Sequence, residues 1–476
     1  MMHLHRGAGT RCALAACVAT ALCLGAPAAA MAVPTTWTVN TCSEANTGSG
    51  TTGSLRYAAA NASSGDTIDL TNTGCSTITL TTGSVLLAQD NITLQGPGKT
   101  AFTLSSNNDR VILHTGHGVL TVKALTVANG YIHPSLGTTA VGGCIRSNGA
   151  VSLDHTLVRS CRAVSVGAPV RGGGIYATSY VIAKYSEITG NSASNTGTNA
   201  NGGGGGVFTY NDIVLGNSTL SGNSAPNGAG GGVRAFRNAT IIASTVSGNT
   251  ASVGGGLYAR DNLTSQSDTF TLLNSTVSGN FATSLVGGAW TNAGTTHLYN
   301  STVAFNTAGS ASRYARDYSP GFNVDDTGAF YTDINHYAFK QVLLESAVLS
   351  NNVSGNFAND FGITRFSPLN LVRFNNPSKS SQDNLIFASS ISFSPTMAIS
   401  GVCPLLGPLR DNGGPTKTHA LMSHSPGIDA GNILANGISP YDQRGLARVS
   451  GTKADMGAYE AQQNDVVFNA GFDGCP

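Results

Sequence analysis

From about residue 140 to residue 355, short apolar segments alternate with turns rich in glycine and asparagine. Segments such as VIAKYSEI (181–188) and ATIIASTV (239–246) are rich in β-branched residues and are bounded by Gly or Asn. Such segments are typical of β-strands rather than helices. The pattern therefore predicts many short strands joined by tight turns.

A repeating unit underlies this pattern. One part has a hydroxyl residue, an aliphatic residue two places later and an asparagine three places further on, as in STLSGNSA (218–225) and STVSGNTA (244–251). The other part is a Gly-Gly segment followed by an aliphatic residue, as in GGGI (172–175) and GGGL (254–257). The predicted row of asparagines is Asn191, Asn223, Asn249, Asn280, Asn306 and Asn351.

The glycine segment and the asparagine are separated by a nearly constant distance along the chain. The spacing is 17 residues for Gly174 and Asn191, Gly206 and Asn223, Gly232 and Asn249, and Ala289 and Asn306. In an earlier unit Cys144 and Cys161 stand at these two positions with the same spacing. The paired replacement predicts a disulfide between Cys144 and Cys161.

A repeat of roughly 24–32 residues cannot bury its own apolar face, so the units must stack on one another. We therefore predict an all-β fold, a single-stranded right-handed parallel β-helix, with each unit forming one coil about 4.8 Å above the last. The asparagines are expected to form a hydrogen-bonded ladder at one turn. The aliphatic residues expected inside are Ile188, Leu220, Val246, Val277 and Val303.

The first 32 residues have the pattern of an export signal. Arg6 and Arg11 are followed by an apolar run from Cys12 to about Ala26, which is shorter than the roughly 20 residues of a membrane-spanning helix. Small residues follow, and cleavage is expected after Ala30 or Ala32. Loss of two of the 25 basic residues leaves them one short of the 24 acidic residues, so the mature chain is nearly neutral.

Six cysteines remain after the export signal, and an even number in an exported chain favours disulfides. Cys42 and Cys75 pair by proximity in sequence, and Cys403 and Cys475 are then left for each other. No CxxC spacing suggests a zinc site. These features predict a protein that is secreted or held at the outer cell surface.

The composition narrows the possible partners. Only 10% of the residues are charged, against roughly 25% in ordinary soluble domains, and Gly accounts for 60 of the 476 residues. The charges of the basic and acidic residues nearly cancel, and the sequence has no cluster of basic residues. A nucleic-acid partner is therefore not expected. The expected partners are a glycan or a cell-surface protein, the mature chain is expected to have no integral membrane span, and a monomer is expected.

The two ends of the mature chain differ from the repeats. Residues 33–75 are predicted to form an N-terminal cap and the first coil, with a short helix at 54–62 that begins at Ser54 and turns Leu55 and Ala59 towards the β-helix. Residues 76–400 are expected to form the β-helix itself. Residues 463–476 form a short tail without a long apolar segment.

The C-terminal segments carry a family resemblance. CPLLGPLRDNGGPTKTHALMSHSPGIDAGN (403–432), YDQRG (441–445) and ADMGAYE (454–460), with DNLIF (383–387) before them, resemble the choice-of-anchor Q domain of bacterial surface proteins. The start of the mature chain is similar to the start of such proteins, and the repeats resemble those of polymorphic outer-membrane proteins. The resemblance spans most of 36–460 and implies a β-helix with an exported location. It implies no defined catalytic site.

Residues 401–462 are accordingly expected to form a C-terminal cap of choice-of-anchor Q type. This region contains a group of charged residues that we interpret as a structural hydrogen-bonding set. The group consists of Asp429, Asp442, Arg444 and Asp455.

The segment 309–340 is unlike the repeats and is predicted to be an insertion loop. It combines aromatic residues, including Phe322, with charged ones, a mixture suited to sugar recognition; packing of the aromatics against the β-helix wall is the alternative. The candidate ligand-binding residues are Tyr314, Arg316, Asp317, Tyr318, Asp325, Asp326, Tyr331, Asp333 and His336. Neither cofactor nor metal is expected, with Ca²⁺ at Asp325 and Asp326 as the alternative.

Galacturonan hydrolases share the β-helix fold and use clustered Asp residues with a Gly-His-Gly motif. This chain has Gly116-His117-Gly118 and Asp325-Asp326, but in the reverse order and without the other elements, so His117 is interpreted as a turn residue. The sequence favours a non-enzymatic protein with a binding or adhesin-like role and no catalytic residue. The alternative is a polysaccharide lyase or glycoside hydrolase that uses the 309–340 loop.

Overall fold

The computed structural model describes residues 33–196, 202–260, 268–309, 321–325, 340–354, 357–358, 360–364, 372–374, 383–387, 389, 398–432, 439–463 and 465. The chain divides into two units, Met1–Val33 and Pro34–Pro476. The predicted export signal, residues 1–32, lies outside the described residues. No described helix is long and apolar enough to cross a membrane.

One coil shows how the described chain winds. Strands Ile145–Ser147, Ala150–Asp154, Leu157–Arg159 and Arg162–Ser165 follow one another with short turns between them. Each strand pairs in parallel with the strand one coil later, as Ile145 does with Ile175 and Val158 with Ile188. Successive coils therefore stack strand on strand, and the predicted right-handed parallel β-helix is confirmed.

The described strands fall into four stacked sheets, whose strands follow one another along the stack. Sheet 1 contains Gly48–Ser49, Thr52–Gly53, Thr36–Val39, Thr67–Asp69, Ile92–Gln95, Val119–Lys123, Ala150–Asp154, Val181–Lys184, Ile213–Gly216, Ala239–Ile242, Thr269–Leu273, Thr295–Tyr299, Lys340–Glu345 and Val372–Phe374. Sheet 2 contains Thr77–Leu80, Thr103–Ser106, Thr126–Ala128, Leu157–Arg159, Glu187–Thr189, Thr219–Ser221, Thr245–Ser247, Thr276–Ser278, Thr302–Ala304, Val348–Ser350, Leu385–Ile386 and Ile399–Ser400.

Sheet 3 contains Val85–Leu87, Ile112–His114, Ile145–Ser147, Ile175–Ala177, Val207–Thr209, Val233–Ala235, Leu257–Ala259, Ala289–Thr291, Phe322–Asp325 and Phe361–Thr364. Sheet 4 contains Tyr131–Ile132, Arg162–Ser165, Ser192–Asn195, Ser224–Ala229, Thr250–Val253, Phe281–Leu285, Thr307–Ala308, Val353–Ser354 and Phe357–Ala358. Ala140–Val141 and Val170–Arg171 form a separate pair. The aliphatic residues expected inside, from Ile188 to Val303, are all buried.

The predicted asparagine ladder is present at the turn between sheets 2 and 4. The Oδ1 of Asn249 accepts hydrogen bonds from the backbone N and the Nδ2 of Asn223, both at 2.9 Å. Asn249 in turn donates to Asn280, and its Nδ2 also reaches the carbonyl of Leu220 at 3.0 Å. Each side-chain amide therefore satisfies two backbone groups of the preceding coil that would otherwise be buried without partners, and it also bonds the side chain of the next asparagine in the ladder.

The structure corrects the register of the ladder in two places. Asn306 donates to Asn352 and not to the predicted Asn351, which instead takes a left-handed φ of 57° one position earlier. The glycine that faces Asn306 is Gly288 rather than Ala289, because Ala289 pairs with Leu257 as the first buried residue of its strand. In one unit Ala347 occupies the position of the usual hydroxyl residue, so counting from Ser346 indicates the asparagine one position too early. In the other, the stretch from Gly288 to Asn306 is one residue longer than the usual spacing of 17 residues.

The constant spacing has a steric cause. A Cβ at Gly174 would lie 3.1 Å from the Cγ of Asn191, so the amide occupies the space that a side chain at the glycine position would need. In the unit before, Cys144 and Cys161 fill both positions with a disulfide, as predicted. The Cys42–Cys75 disulfide is also confirmed. Cys403 is disulfide-bonded, and its expected partner Cys475 lies outside the described residues.

The N-terminal helix runs from Leu55 to Asn61, as the sequence predicts. The Oγ of Ser54 accepts a hydrogen bond from the backbone N of Tyr57, which satisfies one of the free donors of the first turn. Leu55, Ala58 and Ala59 are buried against the first coils.

The C-terminal segment, described over 403–432 and 439–460, contacts the side of the β-helix at sheet 2. The Oγ1 of Thr276 donates to the Oε1 of Gln443 at 2.7 Å, and the Oγ of Ser278 lies 2.7 Å from the Nε2 of His419. One coil on, the backbone N of Ala458 donates to the Oγ1 of Thr302 at 3.1 Å. The outward hydroxyl groups of sheet 2 therefore form the hydrogen-bonding surface on which this segment packs.

The charged group of the C-terminal segment is a structural hydrogen-bonding set, as interpreted from the sequence. Arg444 donates to Asp442 at 2.8 Å, both side chains are fully buried, and the guanidinium lies 3.9 Å from the ring centre of Tyr459. Asp429 donates from its backbone N to Asp455, and its own carboxylate accepts the backbone N–H groups of Thr452 and Lys453. Backbone hydrogen bonds from those two residues lower the pKa of Asp429.

Replacement of Asn249 by Ala should destabilise the β-helix strongly. The change removes the acceptor of Asn223 and the donor to Leu220 in a fully buried turn, which is expected to cost about 2–4 kcal/mol of unfolding free energy. Urea denaturation would measure the loss. The exposed Asn72→Ala variant is the control, and equal stability of the two variants would contradict a structural role for the ladder.

The docking of the C-terminal segment should weaken at acidic pH through His419. Burial lowers the pKa of His419 from 6.5 to about 4, so the stability that its neutral ring provides is present above pH 6.5 and lost as the pH falls towards 4. At full protonation the loss is about 3 kcal/mol. Thermal unfolding between pH 7 and pH 4 should show a shallower pH dependence in His419→Gln than in the wild type, with the exposed His117→Gln as the control.

Candidate functional site

The middle residue of each strand in sheet 3 faces outwards, because its two neighbours in the strand are buried in the core. Ile145 and Ser147, for example, are both fully buried on either side of Arg146. The strand register places these outward residues directly above one another, one per coil. In order along the β-helix, the row is Arg146, Tyr176, Phe208, Arg234, Tyr258, Trp290 and Asn323.

Further arginines and rings flank this row. Arg171, at the end of Val170–Arg171, lies 5.5 Å from the ring centre of Phe208 and 5.7 Å from that of Tyr210. Arg234 lies 5.1 Å from the ring centre of Phe236. Arg260 lies 5.5 Å from that of Trp290. The arginine–aromatic face is defined as Arg146, Arg171, Tyr176, Phe208, Tyr210, Arg234, Phe236, Tyr258, Arg260 and Trp290.

The rings form a platform that holds the guanidinium groups in place. Phe208 is fully buried although it is on the outer side of the strand, and its ring stacks on Tyr176 at 5.7 Å. Tyr210 is exposed to 36% and contacts Phe208 edge-on. Cation–π contacts of this kind restrict the arginine side chains and leave their N–H edges for other partners.

Two arginines of the face have unused hydrogen-bonding capacity. Arg171 donates from Nη1 to the Tyr210 hydroxyl at 2.7 Å, and this is the one hydrogen bond that the described structure gives its side chain. Arg146 makes no side-chain hydrogen bond within the described residues, and its Nε is buried. Because a guanidinium carries five N–H donors, each of these residues can still bind a carboxylate through two parallel bonds.

The arginines of the face are close enough to affect one another. Burial lowers the pKa of Arg234, and the nearby charges of Arg171 and Arg260 lower it further. Burial also lowers the pKa of the neighbouring Arg110, where Asp109 acts in the opposite direction and Arg146 adds to the decrease. Accumulated positive charge of this kind favours an anionic ligand.

The outward row of sheet 3 contains arginines and rings but no carboxylate between Arg146 and Trp290. Nor do the described residues contain a group of three or more His, Cys, Asp and Glu that could hold a metal ion. The chemistry available on this face is binding of planar anions by guanidinium groups and stacking on Tyr210, the exposed ring of the face.

Most of the ligand-binding residues predicted from the sequence lie outside the described residues. These are Tyr314, Arg316, Asp317, Tyr318, Asp326, Tyr331, Asp333 and His336. Asp325 is described as the last residue of Phe322–Asp325, which pairs with Ala289–Thr291 and the Trp290 within it. The strand Phe322–Asp325 therefore adjoins one end of the arginine–aromatic face.

The structure corrects the prediction for 309–340 in one respect. The segment is not one continuous insertion, because Phe322–Asp325 forms a regular strand of sheet 3. Phe322, expected among the aromatics of the loop, is fully buried in the core between Phe270 and Phe361. His117 stands exposed in a turn, as interpreted from the sequence.

The arginine–aromatic face is not among the sequence predictions, although a signal for it exists. Each outward residue follows the aliphatic residue of a Gly-Gly segment, as Tyr176 follows Ile175 and Arg234 follows Val233. When the repeats are aligned on their Gly-Gly segments, arginines and aromatic residues recur at the outward position of the sheet 3 strand. An outward position in a repeat needs only a polar residue for structural reasons, so this recurrence is a signal of function. The face is not predicted because the glycines and asparagines alone are enough to identify the repeat, and its recognition requires no comparison of the outward residues with one another.

No protein-family model matches the chain. No curated protein is detectably similar to it. Among solved structures it is similar to the pectate lyase Pel9A, with a TM-score of 0.37 and 14% sequence identity over 90% of this chain and 96% of that chain.

Replacement of Arg146 by Met should leave the β-helix as stable as the wild type or more stable by about 0.5–1 kcal/mol. The variant removes a buried donor without a partner and the repulsion with Arg110, while the aliphatic part of the side chain is retained. Chemical denaturation would measure the difference, with the exposed Arg159→Met as the control. A clear loss of stability would mean that Arg146 has a structural role.

Proposed function

We propose that this protein is an extracellular β-helix that binds acidic polysaccharide through its arginine–aromatic face. The observation that carries the proposal is the cluster of arginines on this face, in which Arg171 is held against the ring of Phe208 and both Arg146 and Arg171 have unused N–H donors. Uronic acid residues present a planar carboxylate for bidentate binding by arginine and a ring face for stacking. The role is binding without catalysis.

An extracellular location is supported by the disulfides. Cys42–Cys75 and Cys144–Cys161 are typical of proteins that fold in oxidising compartments. The proposal includes removal of residues 1–32 as an export signal. It also includes membership of the choice-of-anchor Q proteins, which rests on the sequence motifs of residues 383–460 alone.

The length of the face suits an extended chain. Its outward row passes from Arg146 to Trp290 in six consecutive strands of sheet 3. At about 4.8 Å per coil, this is comparable to several sugar residues in a row.

Binding should depend on the carboxylates of the polysaccharide. We expect the mature protein to bind polygalacturonate or alginate and not fully methyl-esterified polygalacturonate, which has the same backbone without the charges. Calorimetric titration should show affinity that falls as salt is added, because exposed ion pairs are screened. Equal affinity for the esterified polymer would contradict the proposal.

The same calorimetric titration, repeated with variants, identifies the arginines that bind the polysaccharide. The Arg146→Met and Arg171→Met variants should each lose about tenfold or more in affinity, since a hydrogen bond to a charged group contributes about 1.5–3 kcal/mol. Arg159→Met, on the outer side of sheet 2, is the control and should bind as the wild type does. Release of unsaturated or reducing-end products by the wild type would instead favour the lyase or hydrolase alternative.

A further inference from the structure

A cavity lies away from sheet 3 on the β-helix surface, at the corner between sheets 1 and 2. Its volume is about 220 Å³, smaller than the roughly 300–1,000 Å³ of sites for drug-sized ligands. Lys99, Glu187 and Pro415 of the C-terminal segment are among the residues that line it. A cavity of this size fits a single ring with its substituents.

The floor of the cavity is built from a row of corner residues. His155, Tyr185 and Asn217 occupy equivalent positions in successive coils, and all three have a left-handed φ of 49°. Equivalent backbone conformations direct their side chains outwards one above the other. The next corner residue, Ala243, is already covered, because its carbonyl accepts a hydrogen bond from Thr416 beside Pro415.

Two residues of this corner row, His155 and Tyr185, stack their rings on each other, and the stack ends at the cavity. The rings of His155 and Tyr185 are nearly parallel, with centres 5.0 Å apart. Tyr185 is exposed to 46%, although it is a large ring on a folded surface. Asn217 continues the row with a small side chain, so the cavity opens where the stack of rings ends. An open ring face of this kind suits the C–H face of a sugar.

Polar groups with unused capacity surround the ring. Lys99 forms one ion pair with the Oε1 of Glu187 at 2.7 Å, which leaves further N–H donors on the lysine and the Oε2 of the glutamate. The side chains of Asn217 and Thr219 form no hydrogen bond within the described structure. The cavity therefore offers donors and acceptors in a mixed array, as a polyhydroxylated ring requires.

The charges of the cavity favour a neutral ligand. The ammonium group of Lys99 is compensated by Glu187, whose second carboxylate oxygen would repel an anion. The arginine–aromatic face has the opposite character, since its outward row holds no carboxylate between Arg146 and Trp290. We propose that the corner cavity binds one neutral pyranose residue, stacked on Tyr185 and hydrogen-bonded by Glu187, Asn217 and Thr219.

Saturation-transfer NMR with methyl β-glucopyranoside, methyl β-galactopyranoside and methyl α-mannopyranoside at millimolar concentration tests the proposal. Transfer to the ring protons of at least one glycoside is expected with the wild-type mature protein. Tyr185→Ala should reduce the affinity about tenfold or more by removing the apolar contact. Alanine is compatible with this corner, because Ala124 and Ala243 have the same left-handed conformation.

Three further variants keep the test independent of folding and of the arginine–aromatic face. Thr219→Val preserves shape and should weaken binding by removing one hydroxyl group. Tyr131→Ala removes another tyrosine that stacks on a histidine, His133, outside the cavity, and should bind as the wild type does. Arg146→Met should likewise leave glycoside binding unchanged, so failure of one site is distinguishable from failure of the other.

Three results would overturn the proposal. The first is absence of transfer to every neutral glycoside, and the second is transfer that Tyr185→Ala leaves intact. The third is preferential binding of methyl glucuronide that is lost in Lys99→Met, since this would make the cavity an anion site.

Discussion

The asparagine ladder is the interaction on which the rest of the structure depends. A parallel β-helix must turn its chain inside a stack where buried peptide groups have no access to water. The side chain of Asn249 solves this by accepting from the coil on one side and donating to the coil on the other. Since each amide is shared between coils, a unit out of register would leave polar groups without partners, at a cost of about 1–3 kcal/mol each.

This constraint separates positions that maintain the fold from positions that are free to vary. A side chain at the facing glycine would be crowded by backbone and amide together: a Cβ at Gly174 would lie 2.8 Å from the carbonyl oxygen of Gly206 and 3.1 Å from the Cγ of Asn191. Most inward residues are apolar, and the ladder fixes the turn. The outward positions of sheet 3 are under neither restriction, so a row of arginines and rings can be displayed there without disturbing the coil.

The same division explains what the sequence could predict. Steric and hydrogen-bonding rules recur in every unit, and the Gly–Asn spacing therefore predicts the fold, the ladder and the Cys144–Cys161 disulfide. Local departures from the repeat are not predicted. Because Ala347 replaces the usual hydroxyl residue, the motif indicates Asn351 where the ladder uses Asn352. Because one unit has an extra residue, the spacing indicates Ala289 where the facing glycine is Gly288.

The binding surfaces follow from relations between coils rather than from repetition within the sequence. Arg171 meets the ring of Phe208 because one coil lies above another. Lys99 meets Glu187 across several coils, and Pro415 closes the corner cavity from a segment nearly two hundred residues further along the chain. Once the register of the coils is known, it predicts which outward residues form the row that contains Phe208. The register does not predict the position of the C-terminal segment, because that position depends on contacts outside the repeat.

The C-terminal segment also changes the mechanical character of the array. A stack in which each coil touches only its neighbours can fray from its end, one coil at a time. Here one segment is hydrogen-bonded to Ala243, Thr276, Thr302 and Ser346, which belong to successive coils. These coils cannot separate one at a time without breaking their hydrogen bonds to the C-terminal segment. This part of the stack is therefore expected to unfold as one cooperative block, which protects it from proteases that cleave locally unfolded chain.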